Sequence, residues 1–267
     1  MRGVTGRGRL GGVLITSRPL DEYCVFFGLS RARLSALPGP VLDCPGGASG
    51  LVAEARALGC RVVAADPAYA RPTAELLAAA ERSRQAMAAA MPADPAHHPA
   101  PRHRPYDKYL RSWDRARALF AADRAAHPGS YLAARLPELP FADGSFALTL
   151  SSYLLFAYPE RFGPDEQFEA LLELVRVTAA DGEVLVHPLH DGAGHRCPHL
   201  AQLRRALGER GVHSELRTAR EPGDGRRRWS MRLTHYQKQR EGQRNGGRIR
   251  PSAGKSGTEA SSPATVR

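Results

Sequence analysis

Residues 41–67, VLDCPGGASGLVAEARALGCRVVAADP, constrain this chain more than any other stretch. Val41 and Leu42 read as the end of a short buried strand, and Asp43 to Gly50 form a turn of small residues. Leu51, Val52, Ala55 and Leu58 then recur at helical spacing, and Arg61 to Ala65 make a second apolar run closed by Asp66-Pro67. Strand, glycine turn, helix, strand and acid, in that order, describe a nucleotide-binding βαβ unit. Glycine lets backbone approach a ligand with no Cβ in the way, and free N–H groups at a helix start attract polar or anionic groups. A carboxylate about 20 residues on, at the tip of the second strand, can accept from both hydroxyls of a ribose.

The order of the glycines discriminates between nucleotides. A dinucleotide turn carries G-x-G-x-x-G directly after the strand. Here Asp43-Cys44-Pro45-Gly46-Gly47-Ala48-Ser49-Gly50 puts an acid before the turn and one Gly-Gly pair inside it. This resembles motif I of the class I S-adenosylmethionine-dependent methyltransferases, h-h-D-h-G-x-G-x-G. Pro45 replaces the first glycine, Gly47 supplies the second, and Ser49, or Gly50 one residue late, stands for the third. Further on, Leu139-Pro140-Phe141-x-Asp143-x-Ser145-Phe146-x-Leu148 is similar to the family's L-P-F-x-D-x-S-F-D-x-V run, which leads into its fourth strand. Glu173-Leu174-x-Arg176-Val177, followed by a D-G turn and an apolar strand, resembles the order of elements after that.

The resemblance covers about residues 18–234 and implies a Rossmann-like α/β fold. Its sheet has seven mostly parallel strands, helices on both faces and a C-terminal antiparallel hairpin. It implies S-adenosylmethionine as cofactor, lying against Asp43, Pro45, Gly46, Gly47, Ala48, Asp66, Pro67 and Ser151. Asp66 would take the ribose hydroxyls, and Asp43 would orient the turn or meet the cofactor ammonium through water. The implied reaction is methyl transfer to a small-molecule acceptor. Such chemistry needs alignment first and a base only where the acceptor carries a proton. Candidate catalytic residues are His187, His190 and Tyr153. Two departures stand out. No N/D-P-P-Y follows the fourth strand, which speaks against amino groups of DNA or protein as acceptors. The family's acid before L-P-F, which holds the adenine amino group, is missing, and Arg135 stands near its place. Two rival readings follow: a non-catalytic cofactor- or partner-binding relative, and a nicotinamide-dependent oxidoreductase.

The chain has 267 residues and a net charge of +11. Residues 1–20 hold +4 of it and 235–267 hold +5, so the body between is nearly neutral. Nucleic-acid binding is therefore expected only through the basic tails, and non-specifically. No apolar run reaches the length of a membrane span. Cys24, Cys44, Cys60 and Cys197 show no C-x-x-C spacing and read as reduced thiols of a cytoplasmic protein. The expected domains are a disordered arm at 1–16, the methyltransferase-like domain at 17–234 and a disordered basic tail at 235–267. A Pro/His-rich loop at 92–105 interrupts the domain.

Helices are expected from about Ser17 through Leu29, over 72–90 and over 106–126. A further helix starts at Pro164-Asp165, with Asp165 as its cap, and ends at Ala180-Asp181-Gly182. The fifth strand then covers Glu183 to His187. After a helix around Leu200–Leu207, the sixth and seventh strands cover Val212–Arg217 and Arg227–Leu233. His97, His98 and His103 read as a solvated loop. The stretch His187 to His199 admits three readings: zinc on His190, His195, Cys197 and His199; a general base at His187 or His190; or a polar loop without catalytic duty. The metal reading is the least favoured, because alternate loop residues match no usual ligand spacing.

Overall fold

The computed structural model describes residues 13–93, 106–220 and 227–236. Helices α1 (Leu20–Phe27) and α2 (Arg31–Ser35) precede β1 (Val41–Asp43), α3 (Leu51–Arg56) and β2 (Val62–Ala65). Then come α4 (Thr73–Ala93), α5 (Tyr106–Ala126), β3 (Tyr131–Leu132), β4 (Phe146–Ser152), α6 (Pro164–Arg176) and β5 (Thr178–His187). The described chain closes with α7 (Leu200–Glu209), β6 (Val212–Arg220) and β7 (Arg227–His235). The strands form one sheet in the order β3-β2-β1-β4-β5-β7-β6. All neighbours are parallel except β7, which runs antiparallel to both β5 and β6.

Alternation along the central strands explains why both faces are covered. Val41, Leu148, Leu150 and Leu185 point into a cluster shared with α1, α3, α4 and α5. Leu42, Phe146, Val184 and Val186 point into a second cluster with α6, α7 and the hairpin's Met231 and Leu233. The central strands are thus buried on both sides, and their carboxyl ends are where polar groups gather. Among the described residues no helix is long and apolar enough to cross a membrane.

The L-P-F run and the second half of α6 belong to one device. Arg176 donates to Leu139 O, Phe141 O and Asp143, and also pairs with Glu173. Glu173 in turn accepts from Leu139 N at 2.7 Å. Asp143 and Arg176 together therefore lock the entry to β4.

Several boundaries differ from expectation. Leu14 to Thr16, assigned above to the N-terminal arm, are hydrogen-bonded into the domain: Leu14 N to the Tyr158 hydroxyl, Ile15 N to Ser83 Oγ, and Thr16 O from Ala48 N. At the other end His235, assigned to the tail, pairs with Val212 as the last residue of β7. Helix α4 runs to Ala93, past the expected start of the loop, and the rest of 92–105 lies outside the described residues. Helix α6 ends at Arg176, and β5 begins at Thr178. The Asp181-Gly182 pair, expected to end the helix, is an irregularity inside the strand, because β4 skips from Phe146↔Thr178 to Leu148↔Glu183. A Cβ at Gly182 would come within 2.8 Å of Ala147 O, so only glycine allows that approach. Asp165 does not cap α6. The cap residue is Gly163, with Pro164 opening the helix.

Candidate functional site

The carboxyl ends of β1, β2, β4 and β5 bring most of the predicted residues to one edge. Asp43 ends β1 fully buried, and its Oδ2 accepts from the Tyr23 hydroxyl at 3.0 Å and from Ser49 Oγ at 3.3 Å. Its Oδ1 is buried without a hydrogen-bond partner. Burial pushes the Asp43 carboxyl up to about 8; Tyr23 and Ser49 pull it back, and nearby Asp66 adds to the rise. Ser151, on the neighbouring strand, is likewise buried with an unpartnered Oγ.

The glycine turn remains tied to the sheet. Cys44 N donates to Leu150 O and Gly46 N to Ala65 O, so the turn crosses directly over the strand ends. Asp66 faces it from β2: its Oδ2 accepts from Gly47 N at 2.9 Å and its Oδ1 from Ala68 N at 2.8 Å. The second bond caps the short 3₁₀ turn Pro67–Ala70, whose first residue, Pro67, is exposed. Burial raises the Asp66 pKa, opposed by the Ala68 and Gly47 amides. Pro45 is partly buried at the start of the turn, and Ala48 is buried within it.

Tyr69 closes the turn from below by donating to Gly47 O at 2.8 Å. A Cβ at Gly46 would lie 2.3 Å from the Tyr69 hydroxyl and 2.8 Å from the Ala64 Cβ. Gly46→Ala is accordingly expected to cost about 1–3 kcal/mol of stability by overpacking, read from urea midpoints. Tyr69→Phe should relieve part of that loss, and equal losses in both backgrounds would contradict this packing.

Above the turn lies the chain's own strap, residues 14–18. Thr16 O accepts from Ala48 N at 3.0 Å, and Arg18 O accepts from Gly50 N at 2.9 Å. Gly47 has φ of +54°, and a Cβ there would meet Thr16 O at 2.9 Å. The strap delivers Arg18 into a buried cage. The guanidinium lies 3.9 Å from the Tyr153 ring centroid, 5.1 Å from that of Trp113 and 5.2 Å from that of Phe26. Its Nη1 donates to Glu22 Oε2 at 2.6 Å. Glu22 also accepts from the Tyr109 hydroxyl at 3.1 Å and from Trp113 Nε1 at 2.7 Å. Nothing in the sequence singled out this cage, although Arg18 and Glu22 stand at i,i+4 spacing. Its aromatic walls come from three separate parts of the chain: α1, α5 and the residue after β4.

Of the catalytic candidates, Tyr153 and His187 are in ring contact, and His190 acts on His187 through its charge. Tyr153 directly follows β4 with φ of +52°, and its N–H donates to His187 O at 2.6 Å. A bulky residue in that conformation costs of the order of 1–3 kcal/mol, which the surrounding contacts must offset. His187 is buried with its ring stacked on Phe26 at 4.6 Å. Burial holds its pKa well below the usual histidine value, with His190, Arg18 and Arg228 adding to the effect, so it is neutral at pH 7. His190, half-buried, shares a hydrogen bond between its Nδ1 and Asp191 O, and burial lowers its pKa as well. His195 pairs with Asp191, and His199 Nε2 lies 2.8 Å from Gln167 Oε1. Cys197 sits 3.9 Å from the same oxygen. Among the described residues no group of three or more His, Cys, Asp or Glu side chains is placed to hold a metal ion. His97, His98 and His103 lie outside the described residues. Arg135 is exposed and bridges to Glu138 through backbone.

A seven-stranded, mostly parallel sheet whose last strand inserts antiparallel between β5 and β6 is the Rossmann-like fold of class I S-adenosylmethionine-dependent methyltransferases. No protein-family model and no curated protein sequence matches the chain. Many of the solved structures it matches are S-adenosylmethionine-dependent methyltransferases. One is 1,6-didemethyltoxoflavin-N1-methyltransferase of Burkholderia thailandensis with bound 1,6-didemethyltoxoflavin and S-adenosylhomocysteine. The identity is 18%, the match spans 78% of this chain and 76% of that one, and the TM-score is 0.45. Another is magnesium protoporphyrin IX methyltransferase of Synechocystis PCC 6803 with bound SAM, at 13% identity, 77% and 74% coverage and a TM-score of 0.42. A third is the CcbJ methyltransferase of Streptomyces caelestis, at 15% identity, 76% and 86% coverage and a TM-score of 0.42. The fold assignment rests on the strand order itself.

Proposed function

We propose that this chain binds S-adenosylmethionine across the carboxyl ends of β1, β2 and β4 and transfers its methyl group to a small-molecule acceptor. The observation that carries the reading is the Asp66–Gly47 hydrogen bond, which sets a carboxylate beside a bare glycine turn in a sheet of this order. The residues present fit the cofactor. Asp43 Oδ1 and Ser151 Oγ are buried polar atoms in want of partners, and a polar ligand at this edge would supply them. Each oxygen of Asp66 accepts one backbone N–H and keeps a lone pair for a ribose hydroxyl. The backbone of Pro45, Gly46, Gly47 and Ala48 would run beside the methionine part, with Pro67 and Ser151 at the margins. For this the strap over Gly47 must lift.

When bound, the cofactor supplies an electrophilic methyl group on a sulfonium, and the protein's contribution is to align it with an acceptor lone pair. Tyr153 and His187 stand where β4 and β5 end. Burial and the nearby cations make His187 a weak base, so His190, the better exposed of the two histidines, is the stronger candidate to accept a proton.

One observation favours a second reading, a non-catalytic relative: the strap already satisfies Ala48 N and Gly50 N. Titration calorimetry separates the readings. S-adenosylmethionine and S-adenosylhomocysteine should each bind once per chain and NAD should not, whereas heat from none of the three, or from NAD alone, would remove methyl transfer. Methyl-transfer assays on a panel of small molecules then decide between enzyme and binder. The pH dependence carries its own sign. In the free protein Asp43 holds its proton up to about pH 8, so its pairing with the cofactor ammonium releases a proton below that pH. Affinity should therefore rise with pH, by up to about tenfold per unit, and fall again above about pH 8 as the free ammonium titrates. Asp43→Asn should flatten the rising limb.

A further inference from the structure

The cage around Arg18 has the chemistry of a cation receptor. Three aromatic faces surround the guanidinium, and a buried carboxylate, held in place by Tyr109 and Trp113, pairs with it. Desolvated cation–π contacts of this kind are strong, and a buried carboxylate without a cation is costly. The cage also lies where a methyl acceptor would be: Tyr153 follows β4 and is within 5.4 Å of His187 at the end of β5, ring centre to ring centre. Its left-handed backbone turns the ring onto Arg18, a strained conformation of the sort that clusters at ligand clamps.

The same short segment closes both places. Thr16 O and Arg18 O cover the glycine turn, and the Arg18 side chain fills the cage. Beyond Pro19 the chain is fixed, since Leu20 N is held by Glu54 at 3.0 Å. A cofactor that displaces the strap therefore draws Arg18 out and leaves Glu22 buried without its cation.

We propose that this cage is the acceptor's recognition subsite, that it takes a cationic nitrogen group (a protonated amine or a guanidinium), and that Arg18 fills it intramolecularly until the cofactor binds. The cationic group is a handle rather than the nucleophile, because a protonated nitrogen has no lone pair to give. The acceptor role rests on the methyl-transfer reading above; the capacity of the cage for a cation does not.

Two measurements on the full chain test this, with ethylguanidinium as probe and neutral ethylurea as control. In Arg18→Ala the emptied cage should bind ethylguanidinium saturably, seen as a change in tryptophan fluorescence and a rise in melting midpoint. Adding Glu22→Gln should weaken that response about tenfold or more, and ethylurea should produce none. Should Arg18→Ala fold only in the presence of ethylguanidinium, the cage is equally supported. A chain that stays unfolded in it, or that responds alike to both probes or to neither, overturns the proposal. In the wild-type chain ethylguanidinium should tighten S-adenosylmethionine binding several-fold, since it replaces the cation that the rising strap removes. No effect, or competition between the two, would take the cage away from the acceptor. If S-adenosylmethionine itself fails to bind, methyl transfer falls while the Arg18→Ala measurement still decides the cage.

Discussion

Replacing Glu22 with alanine is expected to destabilise the chain by about 3–5 kcal/mol, a large share of the stability of a domain this size. The Arg18–Glu22 pair is almost wholly excluded from water, with side-chain exposures of 5% and 9%. Removing the carboxylate strands a buried guanidinium and also leaves Trp113 Nε1 and the Tyr109 hydroxyl without their acceptor. Those three losses share one partner and will not add independently. The double variant Arg18→Met/Glu22→Leu separates charge from packing, because an apolar pair of similar volume avoids the desolvation cost of both ions. It should recover the part of the loss due to the stranded guanidinium, while Trp113 Nε1 and the Tyr109 hydroxyl stay unpaired, so recovery in urea unfolding is partial. A single-variant loss below about 1 kcal/mol would mean that water reaches the pair, since exposed ion pairs are worth no more than that.

The parts of the fold legible in the sequence were those with enough residues to display a period. Leu171 and Val175 on α6, or Trp113, Ala116 and Phe120 on α5, repeat at three and four and are buried as that spacing requires. Strand β3 has two residues and α2 one turn, too few to show any period. The start of β5 was hidden because Asp181-Gly182 carries the signature of a turn, and the chain uses it for a local irregularity in the ladder instead.

The candidate site divides in the same way. The approach of Asp66 to Gly47 followed from local order, since β2 returns beside β1 and both residues sit at strand tips. The strap and cage did not. Arg18 reads as a basic residue at the start of the first helix, just past the arm, and Glu22 as an acid in that helix's first turn, which is favourable anywhere. Only the long-range meeting of α1, α5 and the end of β4 makes a receptor of them. The unpartnered oxygens of Asp43 and Ser151 are likewise properties of packing, not of order along the chain.

For Asp66→Ala the expected result is a loss of S-adenosylmethionine affinity of about 1–3 kcal/mol, roughly 5- to 150-fold, because buried ribose hydroxyls would be left unpaired. The same substitution removes the acceptor of Gly47 N and the cap of the Pro67–Ala70 turn, which by itself costs about 0.5–2 kcal/mol of stability. The two effects are separable. Asn at this position can still accept a backbone N–H, so Asp66→Asn should keep most of the stability while losing affinity, the amide being a weaker acceptor than a carboxylate. Calorimetry and urea unfolding on the same three proteins make the comparison. Affinity that follows stability across the series would reduce Asp66 to a brace for the turn. Affinity lost in both variants, with stability lost mainly in the alanine one, is what a carboxylate holding both its own loop and a ribose must produce.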